Sequence, residues 1–259
     1  MQSIFITGDK HGEISGFSSR YYLNYKDELR NSNKDENFII VCGDFGFIWR
    51  QKEDAEEKYD LEIINNKPWT TLFVDGNHEN FNRLNSEFEV VDFKGGKAHK
   101  IRDNIYHLMR GEIYEILGLK FFAFGGARSH DISDGILDYN DEDWRNKARQ
   151  LDKQGKHMYR VKGLSWWEEE LPTKEEMNYG LANLRKHNRE VDYIITHQPP
   201  ENIILRTSAS ELDFNEFTSY LENINNSIKF KKWFSGHIHL DHEFDGWHRS
   251  LYYDWERVV

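Results

Sequence analysis

Five short apolar runs in this chain each open into a tight polar cluster, and that repetition constrains the fold more than any other feature. Leu72-Phe73-Val74-Asp75-Gly76-Asn77-His78-Glu79 is the densest case. Ile4-Phe5-Ile6-Thr7-Gly8-Asp9-Lys10-His11-Gly12 and Ile39-Ile40-Val41-Cys42-Gly43-Asp44-Phe45-Gly46 share its grammar. Tyr193-Ile194-Ile195-Thr196-His197 and Trp233-Phe234-Ser235-Gly236-His237-Ile238-His239 repeat it near the C-terminus. A continuous apolar run of this length reads as a strand buried on both faces. In open α/β sheets, ligands sit beyond the carboxyl ends of the strands. The five polar tips therefore predict one shared site.

The segments between them support an α/β class. Strands are predicted at 3–8, 38–43 and 70–75, with helices at Tyr22–Leu29 and 51–65 between them. Ala55, Tyr59, Leu61 and Ile64 are spaced for one face of the second helix. Strand, helix, strand, helix, strand is the pattern of parallel crossover units. Ile105–Met109, Ile113–Leu117 and Leu119–Phe124 read as antiparallel strands around Gly111 and Gly118, the latter two as a hairpin. Residues 126–171 are the least regular stretch, and a segment of that length without elements is usually functional or mobile. We read it as an active-site cap or lid inside a single domain spanning 1–259. Thr173 with Glu176 forms a capping box for a helix over 174–186. Strands at 191–196 and 231–235, a helix at 211–223 and a closing edge strand at 249–255 complete the expectation.

Composition narrows the function. The formal net charge of -11 argues against a large phosphate-backbone footprint, so nucleic acid enters only as a substrate. The one cysteine, Cys42, lies in an apolar run and reads as a small buried hydrophobe. It leaves no internal disulfide and no sign of an oxidising compartment. The N-terminal run is too short for a signal peptide, and no stretch approaches a membrane span. The expectation is a soluble cytoplasmic protein. Eight tryptophans are compatible with a homo-oligomer that buries some of them.

Taken singly, the polar tips are weak. Asp9-Lys10-His11 and Gly43-Asp44 read equally well as loop and turn residues, and His197 as a packed histidine. Gly236-His237-Ile238-His239 says more, because side chains two apart in an extended chain project to one side. Only the combination, each tip at a strand end, makes a strong signal. Carboxylate, imidazole and amide oxygen together suit manganese, iron or zinc.

In this order, Gly8-Asp9-Lys10-His11-Gly12, Gly43-Asp44, Gly76-Asn77-His78-Glu79, His197 and Gly236-His237-Ile238-His239 resemble the calcineurin-like metallophosphoesterases over residues 8 to 239. The resemblance implies a four-layer α-β-β-α sandwich of two mixed β-sheets flanked by helices. It implies two metal ions, manganese and/or iron, with zinc or nickel as alternatives. Asp9, His11 and His239 would hold metal one, and Asn77, His197 and His237 metal two. Asp44 would bridge them, and His78 would be the catalytic histidine that stabilises or protonates the leaving oxygen. The implied reaction is attack on a phosphate-ester substrate by a hydroxide shared between the metals. A small-molecule phosphomonoester or phosphodiester is favoured over a nuclease or cyclic-nucleotide phosphodiesterase role, and over an inactive binding module on the same fold.

The chain departs from the Ser/Thr protein phosphatase branch. Phe47-Ile48-Trp49 stand where that branch has Asp-Arg-Gly, and Asp75 stands where it has an arginine. Its phosphate-clamping arginines are therefore missing. Arg128, after Gly125-Gly126, is the substitute candidate for a substrate contact, with His130 assisting. Asp75 is a candidate partner for His78 or a cap for its own loop. Glu79 is expected to orient the loop. Trp166 and Trp167 read as the cap's own small core.

Overall fold

The first three apolar runs form strands Ser3–Thr7 (β1), Asn37–Val41 (β2) and Thr70–Phe73 (β3), buried at every position. They lie parallel, with Thr7 opposite Val41 and Val41 opposite Phe73, so their polar tips leave along one edge. The computed structural model describes residues 2–18, 20–30, 33–207 and 214–259. A 3-10 turn at Leu23–Tyr25 leads into Lys26–Arg30 (α1), and Ala55–Asn65 (α2) returns the chain to β3. The Asp54 carboxylate starts α2 by accepting from the backbone N–H of Glu56 and Glu57.

Three further elements extend this sheet or cover it beside β3: the helix Phe81–Ser86 (α3) and the strands Glu89–Phe93 (β4) and Gly96–Arg102 (β5). Neither α3 nor the β4–β5 hairpin was expected from the sequence. Ile105–Leu108 (β6) then pairs parallel with β3. Glu112–Ile116 (β7) and Leu119–Phe124 (β8) form the predicted hairpin, joined by Leu117 and Gly118 in left-handed conformations.

Residues 126–171 are more regular than the sequence suggests. Gly135–Asp138 (β9) pairs parallel with Tyr159–Lys162 (β10), and Trp144–Lys153 (α4) connects them. Their composition is polar because this small unit is mostly solvated, although Trp144, Ala148 and Leu151 keep the spacing of one helical face. Trp167 belongs to the main core beside Trp49, with ring centroids 5.4 Å apart, rather than to a separate core of the segment.

The capping box is present at Lys174–Lys186 (α5): Thr173 accepts from the Glu176 N–H and the Glu176 side chain reaches back. Replacing Thr173 with alanine is expected to lower stability by about 1 kcal/mol, read as a shift of the urea midpoint. An unshifted midpoint would show that the cap contributes nothing. Tyr193–Thr196 (β11), the short helix Glu201–Ile204 (α6), Glu216–Ser227 (α7) and Lys232–Ser235 (β12) follow. Helix α7 begins at an Asn215 cap and ends later than expected, and residues 211–213 of the predicted helix lie outside the described residues. The closing strand at 249–255 is instead split. His242–Glu243 (β13) and His248–Ser250 (β14) belong to one sheet, and Trp255–Arg257 (β15) to the other. Between them the Asp241 carboxylate accepts the backbone N–H of Tyr252, Tyr253 and Asp254, a turn that passes the chain across.

Among the described residues the sheet orders are β15-β1-β2-β3-β6-β5-β4 and β13-β14-β12-β11-β8-β7. The pleat sends alternate residues to opposite faces. Ile4, Ile6, Ile40, Leu72 and Val74 face Tyr114, Phe121, Ala123, Ile195 and Phe234 between the sheets. Phe5, Ile39, Val41 and Phe73 pack outward with Leu61 and Ile64 of α2. Phe122, Phe124, Ile194 and Trp233 pack outward against Leu184 of α5 and Leu221 and Ile224 of α7. The result is the four-layer α-β-β-α sandwich of two mixed sheets. Cys42 is free and buried. Among the described residues no helix is long and apolar enough to cross a membrane.

Candidate metal centre

The strand ends of both sheets meet at one rim, and the loops that leave them are tied together by backbone bonds. Asp44 O accepts from Lys10 N and His11 N at 2.9 and 2.8 Å, and Phe45 O from Gly12 N at 3.0 Å. His197 O accepts from Gly236 N at 3.0 Å, and Asp75 O from Gly126 N at 2.9 Å. Two glycines are required by this closeness. At Gly43, φ is +88° and a Cβ would overlap the His197 ring; a Cβ on Gly76 would overlap the Asp44 carboxylate. Glu79, fully buried, accepts from Phe45 N at 2.8 Å and also faces Gly46 N, so it ties its own loop to the one that carries Asp44. Burial and the neighbouring Asp44 and Asp75 push its carboxyl well above the usual range.

The side chains that these loops bring together form two adjoining groups. In the first, His239 Nε2 lies 3.2 Å from Asp9 Oδ2 and 3.0 Å from His11 Nε2. In the second, His197 Nε2 lies 3.3 Å from Asp44 Oδ1 and 3.3 Å from Asn77 Oδ1. Asp44 also faces the first group, its Oδ2 3.7 Å from His11 Nδ1. Asp9, His11 and His239 come close enough to share one ion, as do Asp9, Asp44 and His197, and His11, Asp44 and His78. His237 stands in none of these triads: its Nε2 points at His130 Nε2, 2.7 Å away, while its ring lies 4.9 Å from that of His197.

The donor chemistry fits cations. His197 Nδ1 is 2.8 Å from the Cys42 carbonyl and must donate to it, which turns the Nε2 lone pair towards Asp44 Oδ1 and Asn77 Oδ1. Three acceptors then converge on one point and repel unless a positive charge sits there. Burial pulls the His197 pKa down, but Asp44 and Asp9 outweigh it and lift it to about 9. Burial pushes the Asp44 carboxyl up, and His197, His78 and His11 outweigh that and hold it well below the usual range. Either a proton or a metal ion answers this demand, and metal binding to such ligands releases protons. The backbone is strained in the same places. His11, Asp44, His237 and His239 have φ of 48°, 46°, 67° and 49°, in the left-handed region.

His78 lies at the edge of the cluster, half-buried, its N–H donating to Asp44 Oδ1 at 2.8 Å and its ring 5.3 Å from that of Trp49. Burial lowers its pKa, with Arg160 among the lesser causes. Asp75 does not partner it. The Asp75 carboxylate instead accepts from Arg110 Nε at 2.9 Å and faces His107 Nε2 at 3.1 Å, in turn next to His99. An arginine supplies the full counter-charge that a buried carboxylate needs. Arg128 is half-buried and His130 exposed, both on the loop after β8. Sequence reasoning passed over Arg160, which β10 holds 6.0 Å from the Trp49 ring centroid in a salt bridge to Asp131. It also passed over Ser129 and Glu170, which stand behind Asn77. Only an apolar neighbour at Val161 marked Arg160, and a Gly-Gly stretch marked Ser129.

No curated protein matches the sequence. The solved structures similar to this chain include two of low identity. A protein described as a 5'-nucleotidase from Staphylococcus aureus, in complex with alpha-ketoglutarate, has 13% identity and a TM-score of 0.46, covering 98% of this chain and 50% of that one. The chain thus spans about half the length of that protein. Phosphopantetheinyl hydrolase from Mycobacterium tuberculosis has 14% identity and a TM-score of 0.44, covering 97% of this chain and 90% of that one. The family model for calcineurin-like phosphoesterases matches residues 3–241, most of the chain, and so this protein belongs to the calcineurin-like phosphoesterase family.

Proposed function

We propose that this chain hydrolyses small-molecule phosphate esters with two metal ions bound at the rim of its two sheets. The convergence of His197 Nε2, Asp44 Oδ1 and Asn77 Oδ1 supports this reading most, because three acceptors aimed at one point call for a cation. Asp9, His11 and His239 would hold one ion, Asn77, His197 and His237 the other, and Asp44, which faces both groups, would bridge them. When bound, the ions lower the pKa of a water and offset negative charge on the phosphate. Four units of charge from two divalent ions, less two carboxylates, leave about two positive units for an anionic substrate.

The chain's own residues do the rest. Glu79 keeps the Asp44 loop in place through Phe45 N. His78, beside the cluster and backed by Trp49, is placed to stabilise or protonate the leaving oxygen. Arg128 is proposed to meet the substrate. His130, aimed at His237, is proposed to orient that ring as well as to assist the substrate. Residues 126–171 would act as the cap that excludes water and sets substrate choice.

The test is turnover of p-nitrophenyl phosphate and its bis-ester by chelator-stripped protein, before and after adding Mn2+. The expected result is negligible turnover when stripped, restored by Mn2+ with two equivalents bound per chain. Undiminished turnover by protein shown by elemental analysis to be metal-free would overturn the reading. The ratio of the two rates assigns monoesterase or diesterase activity.

A further inference from the structure

Asn77 can offer a cation only its amide oxygen, because the other end of the same group carries two N–H donors. Which end turns inward therefore decides whether it is a ligand at all. Its Oδ1 lies on the inner side, 3.3 Å from His197 Nε2, and its Nδ2 lies 3.5 Å from Ser129 Oγ. Ser129 is itself held from behind. Its N–H donates to Glu170 Oε1 at 2.9 Å and its hydroxyl donates to Glu170 Oε2 at 2.6 Å. A carboxylate only accepts, so it takes the one proton the hydroxyl has and leaves oxygen lone pairs facing Asn77. Those lone pairs suit an NH2 group and repel a carbonyl oxygen. Asn77, Ser129 and Glu170 are 6%, 2% and 2% exposed, so water cannot readily take the serine's place.

We propose that Glu170 and Ser129 are positioning residues for the metal centre: the pair sets the direction of the Asn77 amide so that its oxygen is presented to an ion. Glu170 sits at the far end of the 126–171 segment, in the 3-10 turn Glu168–Glu170, so the proposed cap and one metal position share a buried polar connection. This rests on the two-metal reading above. A backbone bond from Ala127 N to Glu170 O at 3.0 Å joins the same two stretches independently of the side chains, so removing the hydroxyl leaves their attachment in place.

The experiment is calorimetric titration of chelator-stripped protein with Mn2+, for wild type, Ser129→Ala, Ser129→Thr and Glu170→Gln, with the Tm of each stripped protein. Glutamine can accept only one of the two serine donors. Wild type is expected to show two binding steps. In Ser129→Ala and Glu170→Gln one step should weaken by about 10–100-fold, the range for losing the partner of a metal ligand. The other step should stay, and Ser129→Thr, which keeps the hydroxyl, should restore the first. Two wild-type steps that persist unchanged in both variants would overturn this inference alone. Equal weakening of both steps with a lowered Tm would assign the pair to holding the fold and also overturn it. A single step in wild type would overturn the two-metal reading and this inference with it.

Discussion

Asparagine in place of His78 is expected to lower kcat by roughly 10²–10⁴-fold, the range for a positioned proton-transfer group, with metal content at the wild-type level. The second half of that expectation is the discriminating one. His78 comes within ion-sharing reach of His11 and Asp44, so the geometry by itself would also allow it to be a ligand. Its backbone N–H, however, is spent on Asp44 Oδ1, which anchors the residue without using the ring, and the ring lies over Trp49 at the edge of the cluster. A group that meets only the leaving oxygen can be deleted without releasing an ion. Elemental analysis of the purified variant beside its kinetics decides the matter: loss of one equivalent would make His78 a ligand, and unchanged kcat would remove it from the reaction.

Methionine at Arg110 is expected to destabilise the fold by about 3–5 kcal/mol, the usual effect of leaving one half of a buried ion pair alone. Asp75 is 1% exposed, and Arg110 gives it two N–H donors while a third bond runs to the Glu169 carbonyl. Burial alone would raise the Asp75 carboxyl; Arg110 first and His107 next outweigh it and hold the carboxyl well below its ordinary value. A carboxyl whose folded pKa is depressed contributes stability above its unfolded pKa and loses that contribution as pH falls towards the folded value. In the methionine variant the largest opposing cause is gone, so burial raises the carboxyl relative to wild type against only the His107 contribution that remains. The stability gap between the two proteins should therefore be widest near neutral pH and shrink as acid protonates Asp75 in the variant. Urea unfolding at pH 7 and pH 5 reads this directly. A gap that is absent, or that grows on acidification, would show that the pair does not hold the loop.

The parallel strands and their tips were legible because full burial on both faces leaves an uninterrupted apolar run, as at Phe38-Ile39-Ile40-Val41. The capping box at Thr173 was legible because both halves lie within one turn. The β4–β5 hairpin was not. Glu89–Phe93 lies at the sheet edge with Glu89, Val90 and Asp92 exposed, so its Val90, Val91 and Phe93 neither alternate cleanly nor form an unbroken apolar run, and only Gly95 and Gly96 hinted at the turn. Of the site, the seven proposed ligands were readable as motifs, since each follows a strand. Their supporting residues were not, because they come from elsewhere in the chain. Asp75 finds His107 and Arg110 at separations of 32 and 35 positions, and Ser129 finds Glu170 at 41. No local pattern announces such partners; only the packing of the two sheets brings them together.

Four of the clustered side chains sit on left-handed backbone at His11, Asp44, His237 and His239. Each such residue costs about 1–2 kcal/mol relative to ordinary backbone, so the four together rival the roughly 5–15 kcal/mol that keeps a typical domain folded. An ion present at about 100 times its Kd returns about 2.7 kcal/mol. Chelator-stripped protein is therefore expected to be cut faster by an added protease than protein supplied with Mn2+, because a larger share of its copies is open at any moment.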